Sequence, residues 1–188
     1  KNRIIGIDKI PLKGEKNLEN VLASVAICSH FKVSNEDFQK AIESFSLASH
    51  RMEIVGRISG VTYVDDSKAT NVSSVIACVE AFKDERIVLL MGGKSKNIDY
   101  NEFFSLDFDI KEVVCFGEDG PNIQKCATEH NYNCAIFKKF DDATLYAINQ
   151  AKSGDFVLLS PACSSFDEFS SYAERGDRFK TIVLGSAK

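Results

Sequence analysis

The chain has 188 residues, 27 of them acidic against 23 Lys and Arg, for a formal net charge of −4. That balance argues against a nucleic-acid-binding body, which needs clustered cations to neutralise phosphates, and no apolar run approaches the ~20 residues of a membrane span. The N-terminus lacks an apolar signal core and Cys28, Cys78, Cys115, Cys126, Cys134 and Cys163 form no CxxC pair, so the expectation is a soluble, cytoplasmic protein with free thiols.

The elements follow from periodicity. After a turn at Pro11 to Gly14, the residues Leu18, Val21, Leu22, Val25 and Ala26 share one helical face and predict an amphipathic helix over 17–31. Ser34 with Asp37 three positions on marks a cap, and Phe38, Ala41, Ile42 and Phe45 supply the buried stripe of a second helix ending near Ala48. From Met52 the period changes. Residues 53–58 and 61–64, separated by Ser59-Gly60, read as a β-hairpin. Val72, Val75, Ile76 and Val79 then predict a helix capped by Thr70 or Asn71. Short apolar runs at 87–91, 113–116, 135–137 and 156–159 are strands covered on both faces, alternating with helices over 119–130, 141–152 and 174–184. Asp141-Asp142 is placed to cap the second of these. Such alternation implies right-handed crossovers and a mainly parallel sheet, an α/β fold.

Three polar clusters fall at strand ends, the edge where parallel sheets collect ligands. Asp65-Asp66-Ser67-Lys68-Ala69-Thr70-Asn71 joins a strand to a helix whose N-terminus favours anions, with Lys68 adding a full charge and Asp66 suited to a cation or hydroxyl. Gly92-Gly93-Lys94-Ser95-Lys96 is not a P-loop, because the position that requires glycine is Val88; it is a glycine turn whose lysines either reach an anion or flank a solvated loop. Ser160-Pro161-Ala162-Cys163-Ser164-Ser165 offers hydroxyls around a proline expected to stop the strand. No histidine or acid completes a triad there, so a hydrogen-bonding pocket wall is the better reading than a Cys163 nucleophile. His50-Arg51 sits at the junction of the helical unit and the hairpin, where arginine can reach a phosphate. His30 and His130 fall at helix C-terminal ends and read as structural. No set of residues has metal-ligand spacing.

Together these motifs resemble the Mur ligase family, in its D-glutamate-adding branch. The resemblance rests on Asp66-Ser67-Lys68-Ala69-Thr70-Asn71, on Gly14-Glu15-Lys16-Asn17 with Asn20, on His50-Arg51-Met52-Glu53, on Gly92-Gly93-Lys94-Ser95-Lys96 with Asp99, and on Leu159 to Ser165 running to Arg175-Gly176. It implies that residues 1–48 are the end of a central ATPase domain and residues 49–188 a Rossmann-like C-terminal domain. The chain is then a piece of a longer enzyme, without its P-loop or magnesium ligands, and inactive alone. The implied chemistry activates the carboxylate of UDP-N-acetylmuramoyl-L-alanine with ATP and Mg2+ as an acyl phosphate, which the amine of D-glutamate attacks, in a monomeric enzyme. By matching motif, Asn17 and Asn20 face adenine, and Arg51 and Asp66 contact ATP phosphate and ribose. Lys68 supports developing charge as the catalytic residue, and Thr70, Lys96, Ser165, Phe166 and Tyr172 hold D-glutamate. The family usually has histidine where this chain has Lys16. Two alternatives stay open: a non-catalytic Rossmann-like module for a small anion or nucleotide, and a related ligase for another amino acid or of the folylpolyglutamate type.

Overall fold

The structure is a computed structural model that describes residues 4–11, 14–45, 48–94 and 97–186, with Glu15 and Lys16 described in their backbone only. The chain divides into two compact units, Lys1–Ala48 and Ser49–Lys188.

In the first unit a 3-10 turn at Ile7–Lys9 precedes α1 (Glu15–Cys28), a second 3-10 turn at Ser29–Phe31 and α2 (Asn35–Ser44). Ser34 caps α2 reciprocally: its Oγ accepts the Asp37 N–H at 3.1 Å and donates to Asp37 Oδ2 at 2.7 Å. Of the stripe expected to be buried, only Phe38 is; Ile42 is half-buried, and Ala41 and Phe45 are exposed. Two short helices have too little surface between them to cover a full apolar face.

The second unit is one six-stranded sheet in the order β1-β2-β6-β3-β4-β5. β1 (Glu53–Ile58) and β2 (Val61–Asp65) form the antiparallel hairpin, turning at Ser59 and Gly60, both with positive φ as a tight hairpin turn demands. β3 (Arg86–Gly92), β4 (Ile110–Phe116), β5 (Cys134–Phe137) and β6 (Asp155–Ala162) run parallel to β2. Strand residues alternate between two cores. Val64, Leu89, Met91, Val113, Cys115 and Leu158 face α3 (Val72–Ala81), the short α4 (Asn101–Phe104) and α5 (Gly120–Glu129). Val61, Tyr63, Val88, Leu90, Val114, Val157 and Leu159 face α6 (Phe140–Gln150) and α7 (Tyr172–Gly185). Each buried Val or Leu contributes about 1.5–3 kcal/mol to holding these layers.

Two local expectations change. Pro161 does not stop β6, which continues to Ala162; the register slips between Leu90 and Gly92 of β3, opposite Pro161, and so accommodates a residue with no N–H. Asp141-Asp142 does not cap α6. Lys139 is its N-cap residue and Glu168 Oε1 accepts the Phe140 N–H at 3.0 Å, leaving the two aspartates in the first turn.

The topology creates a crevice. Helices that follow β2 and β3 pack on one face of the sheet, while the helix that follows β6, the strand between them, packs on the other. Loops leaving neighbouring strands in opposite directions open a gap at their carboxyl ends, which is the switch point of open α/β sheets.

Candidate active site

Asp65-Asp66-Ser67 leaves β2 as a buried polar strip. The Asp66 N–H continues the sheet by donating to Leu159 O at 2.8 Å, and Ser67 N–H turns back onto Asp65 Oδ1 at 2.9 Å. Asp66 is buried, its Oδ1 accepting the Met52 N–H at 3.1 Å and its Oδ2 the Ser160 hydroxyl at 2.9 Å. Burial raises its pKa to about 6, against the pull of the bonds from Ser160 and Met52. Asn71 is the cap of α3, accepting the Ser74 N–H at 2.9 Å.

His50 is buried, only 6% exposed. Its Nδ1 lies 2.7 Å from Asp65 Oδ2, its carbonyl accepts the Lys68 N–H at 3.0 Å, and its N–H donates to Glu53 Oε2 at 2.9 Å. Gly176 of α7 makes this possible. A Cβ there would come within 2.7 Å of Asp65 Oδ2 and closer still to His50 Nδ1. Arg51 stands exposed between two residues in the left-handed region, His50 at φ 65° and Met52 at φ 47°.

The side chain that joins the three strand ends is Arg175, which sequence reasoning quoted within a motif but gave no role. It is fully buried. Its Nε donates to Ser67 Oγ at 2.9 Å, Nη2 to Ser67 O at 2.9 Å and Cys163 O at 3.1 Å, and Nη1 reaches Gly92 O at 3.4 Å. All four acceptors are neutral oxygens, and the Asp167 and Asp65 carboxylates act on the guanidinium from farther away; burial lowers its pKa, to about 10, and it remains a cation at neutral pH. Ser67 relays the contact by donating its hydroxyl to Tyr172 O at 2.8 Å, at the start of α7. The signal that could have found Arg175 is Gly176, a glycine inside a helix, which marks close packing.

A second network ties the remaining loops together. Tyr100 O–H donates to Asp119 Oδ2 and lies 3.1 Å from Cys163 Sγ, while the Asp119 N–H donates to Gly93 O at 2.9 Å and Lys94 N–H to Ser164 O at 2.8 Å. Burial pushes the Cys163 thiol up to about 11, so it is no nucleophile at neutral pH.

Lys68, Thr70 and Ser165 thus lie on loops at one sheet edge, with Tyr172 at the first turn of α7, and Lys68 Nζ stands 5.3 Å from the centre of the Tyr172 ring. Ser165 is 2% exposed and its Oγ has no hydrogen-bond partner among the described residues. Phe166 projects outward, 69% exposed. Lys96 lies outside the described residues, as does the side chain of Lys16. Asn17 and Asn20 are three apart on α1, in the other compact unit, and so share a face of that helix.

Comparison with known proteins then decides the family. The profile described as "Mur ligase, glutamate ligase domain" matches residues 50–163. The chain belongs to the Mur ligase family. Among curated Mur ligases, it is 37% identical over 182 residues to the UDP-N-acetylmuramoylalanine--D-glutamate ligase of Alkaliphilus metalliredigens, covering 96% of this chain and 40% of that protein. To the ligase of the same name from Natranaerobius thermophilus it is 38% identical over 186 residues, covering 97% and 40%. The chain spans about two fifths of the length of these relatives. Solved Mur ligases share the fold: MurC from Thermotoga maritima aligns with TM-score 0.70 at 17% identity, covering 93% of this chain and 39% of that one. MurF from the same organism, solved with ADP, aligns at 0.64 and 17%, covering 93% and 40%.

Proposed function

We propose that this chain is the C-terminal, amino-acid-binding part of an ATP-dependent ligase that joins D-glutamate to UDP-N-acetylmuramoyl-L-alanine. The observation that carries the reading is the identity of 37% or more, over nearly the whole chain, to relatives that bear that ligase name. The geometry supports it. D-Glutamate brings two carboxylates, and the strand-end edge offers Lys68, Thr70, the unpartnered Ser165 hydroxyl and the N-terminus of α7 at Tyr172, over the buried charge of Arg175. Lys96 completes the set. Tyr172 and the outward-facing Phe166 are the aromatic side chains assigned to the D-glutamate side of this edge.

ATP fits the exposed guanidinium of Arg51, whose planar donors match a phosphate. The resemblance implies that Asp66 contacts ATP directly, but it is 3% exposed with both carboxylate oxygens engaged, so its part is assigned to holding the Met52 amide and with it the Arg51 turn, while Asn17 and Asn20 are assigned to the adenine. His50, Glu53 and Asp65 converge as metal ligands would, but the Lys180 ammonium already stands 2.7 Å from Glu53 and 3.8 Å from Asp65. Among the described residues no other such group is seen, and Mg2+ is assigned, as the family resemblance implies, to ligands of the central domain of the full-length enzyme.

The test is phosphate release by the full-length protein with ATP, UDP-N-acetylmuramoyl-L-alanine and a panel of amino acids. D-Glutamate should be required, and Thr70→Ala or Lys96→Ala should raise its KM about tenfold or more. Release driven equally well by another amino acid would overturn the assignment.

A further inference from the structure

We propose that Glu53 and Lys180 are positioning residues for Arg51, forming a latch that fixes the turn bearing its guanidinium. The inference rests on the nucleotide role assigned to Arg51 above.

The turn is short and conformationally costly. His50 and Met52 both adopt left-handed φ angles without being glycine, which costs about 1–2 kcal/mol per residue. Such a backbone persists only when its polar groups are tied on every side, and here they are. Glu53 Oε2 accepts the His50 N–H, the His50 carbonyl accepts Lys68 N–H, and Asp66 accepts Met52 N–H. Of these ties, only the one made by Glu53 depends on a side chain with no other part in the site.

Glu53 is in turn held from the far end of the unit. Lys180 of α7 donates to the same Oε2 at 2.7 Å and stands 3.8 Å from Asp65 Oδ2, the oxygen that pairs with His50. Burial works against the charge of Glu53, yet the bonds from Lys180 and the His50 N–H outweigh it and hold its pKa below the ordinary value. The Lys180 ammonium also relieves the crowding of two carboxylates beside one imidazole. Without it, Glu53 and Asp65 would repel and the His50 N–H would lose its fixed acceptor. Arg51 itself touches none of these groups through its side chain in any bond described, so their effect on a phosphate passes through backbone geometry. Preorganisation of this kind shows in the step that uses the arginine and nowhere else.

The experiment is a mutant cycle in the full-length enzyme. Glu53→Ala and Lys180→Met should each lower kcat/KM for ATP about tenfold while KM for D-glutamate stays within about twofold, and Lys180→Arg should restore most of the loss. On an Arg51→Ala background, Glu53→Ala should have no further effect. Binding of a fluorescent ATP analogue, measured on the same proteins, reads the cycle even if D-glutamate proves not to be the substrate, so failure of the reading above and failure of this inference are distinct. Equal losses with and without Arg51, or equal damage to both substrates, would overturn the latch. A melting temperature within a few degrees of wild type qualifies each variant for the comparison, and Lys180→Met, which keeps the stem of a side chain that is 21% exposed, is the variant expected to retain the fold.

Discussion

The two loops that face each other across the crevice are built on opposite plans. From Asp65 to Ser67 every side chain is buried and engaged: Asp65 with His50, Asp66 with Ser160, Ser67 with Arg175 and Tyr172. From Ser165 to Tyr172 the loop keeps a hydroxyl without a partner, an outward phenylalanine and a half-exposed tyrosine. The first three residues of the Asp65 to Asn71 motif therefore act mainly as a frame, and the groups left for a ligand are its later members Lys68 and Thr70 together with Ser165 and Tyr172. Frame residues should affect stability when changed. Contact residues should affect binding with the fold left intact.

The sharpest way to break that distinction is Arg175→Met. It strips three loops of one shared donor and leaves the Ser67 and Cys163 carbonyls buried without partners, so denaturant unfolding should show a loss of about 3–5 kcal/mol. A loss under about 1 kcal/mol would mean that the loops hold themselves.

Asp66 tests the frame through pH. Its carboxyl binds a proton more tightly in the folded chain, about 6 against 3.8, so its contribution is most favourable below pH 3.8 and is lost as pH rises through about 6. The gap corresponds to about 3 kcal/mol. Asp66→Asn should therefore stabilise the chain at pH 7.5 by up to that amount and match wild type near pH 4, read as melting temperature against pH. A variant no more stable than wild type at pH 7.5 would show the ionised carboxylate to be well compensated.

The smallest stability effect belongs to the contact loop. Ser165→Ala removes a hydroxyl that bonds to no described residue, so unfolding should change by less than about 0.5 kcal/mol while the full-length enzyme loses D-glutamate affinity. Clear destabilisation would move Ser165 into the frame.

How much of this was open to reading in the sequence depended on how local the cause was. Strands such as Val113 to Phe116 announce themselves because burial on both faces leaves a continuous apolar run. The Ser34 cap and the Ser59-Gly60 turn are decided within four residues. The short helix Asn101–Phe104 was missed, since four residues carry no period. The course of β6 through Pro161 was also missed, because the accommodating register shift lies on the neighbouring strand. In the site, Lys68, Thr70 and Ser165 could be placed on one edge from strand ends alone, whereas Tyr172, at the start of α7, entered only through the family resemblance. The burial of His50 could not, because its cover comes from Asp65 and from the bare backbone at Gly176.

The ties between α7 and the hairpin also set the order of events during synthesis. Ser67 and Arg175 are 108 residues apart and Glu53 and Lys180 are 127 apart. At ~5–20 residues per second, Ser67 waits on the order of 5–20 s after being made before the arginine that braces it exists. A nascent or truncated chain that ends before α7 carries the whole Asp65 to Asn71 motif and the glycine turn, yet has neither brace nor latch. A chain cut before Tyr172 should therefore keep the motif and fail to assemble the braced edge.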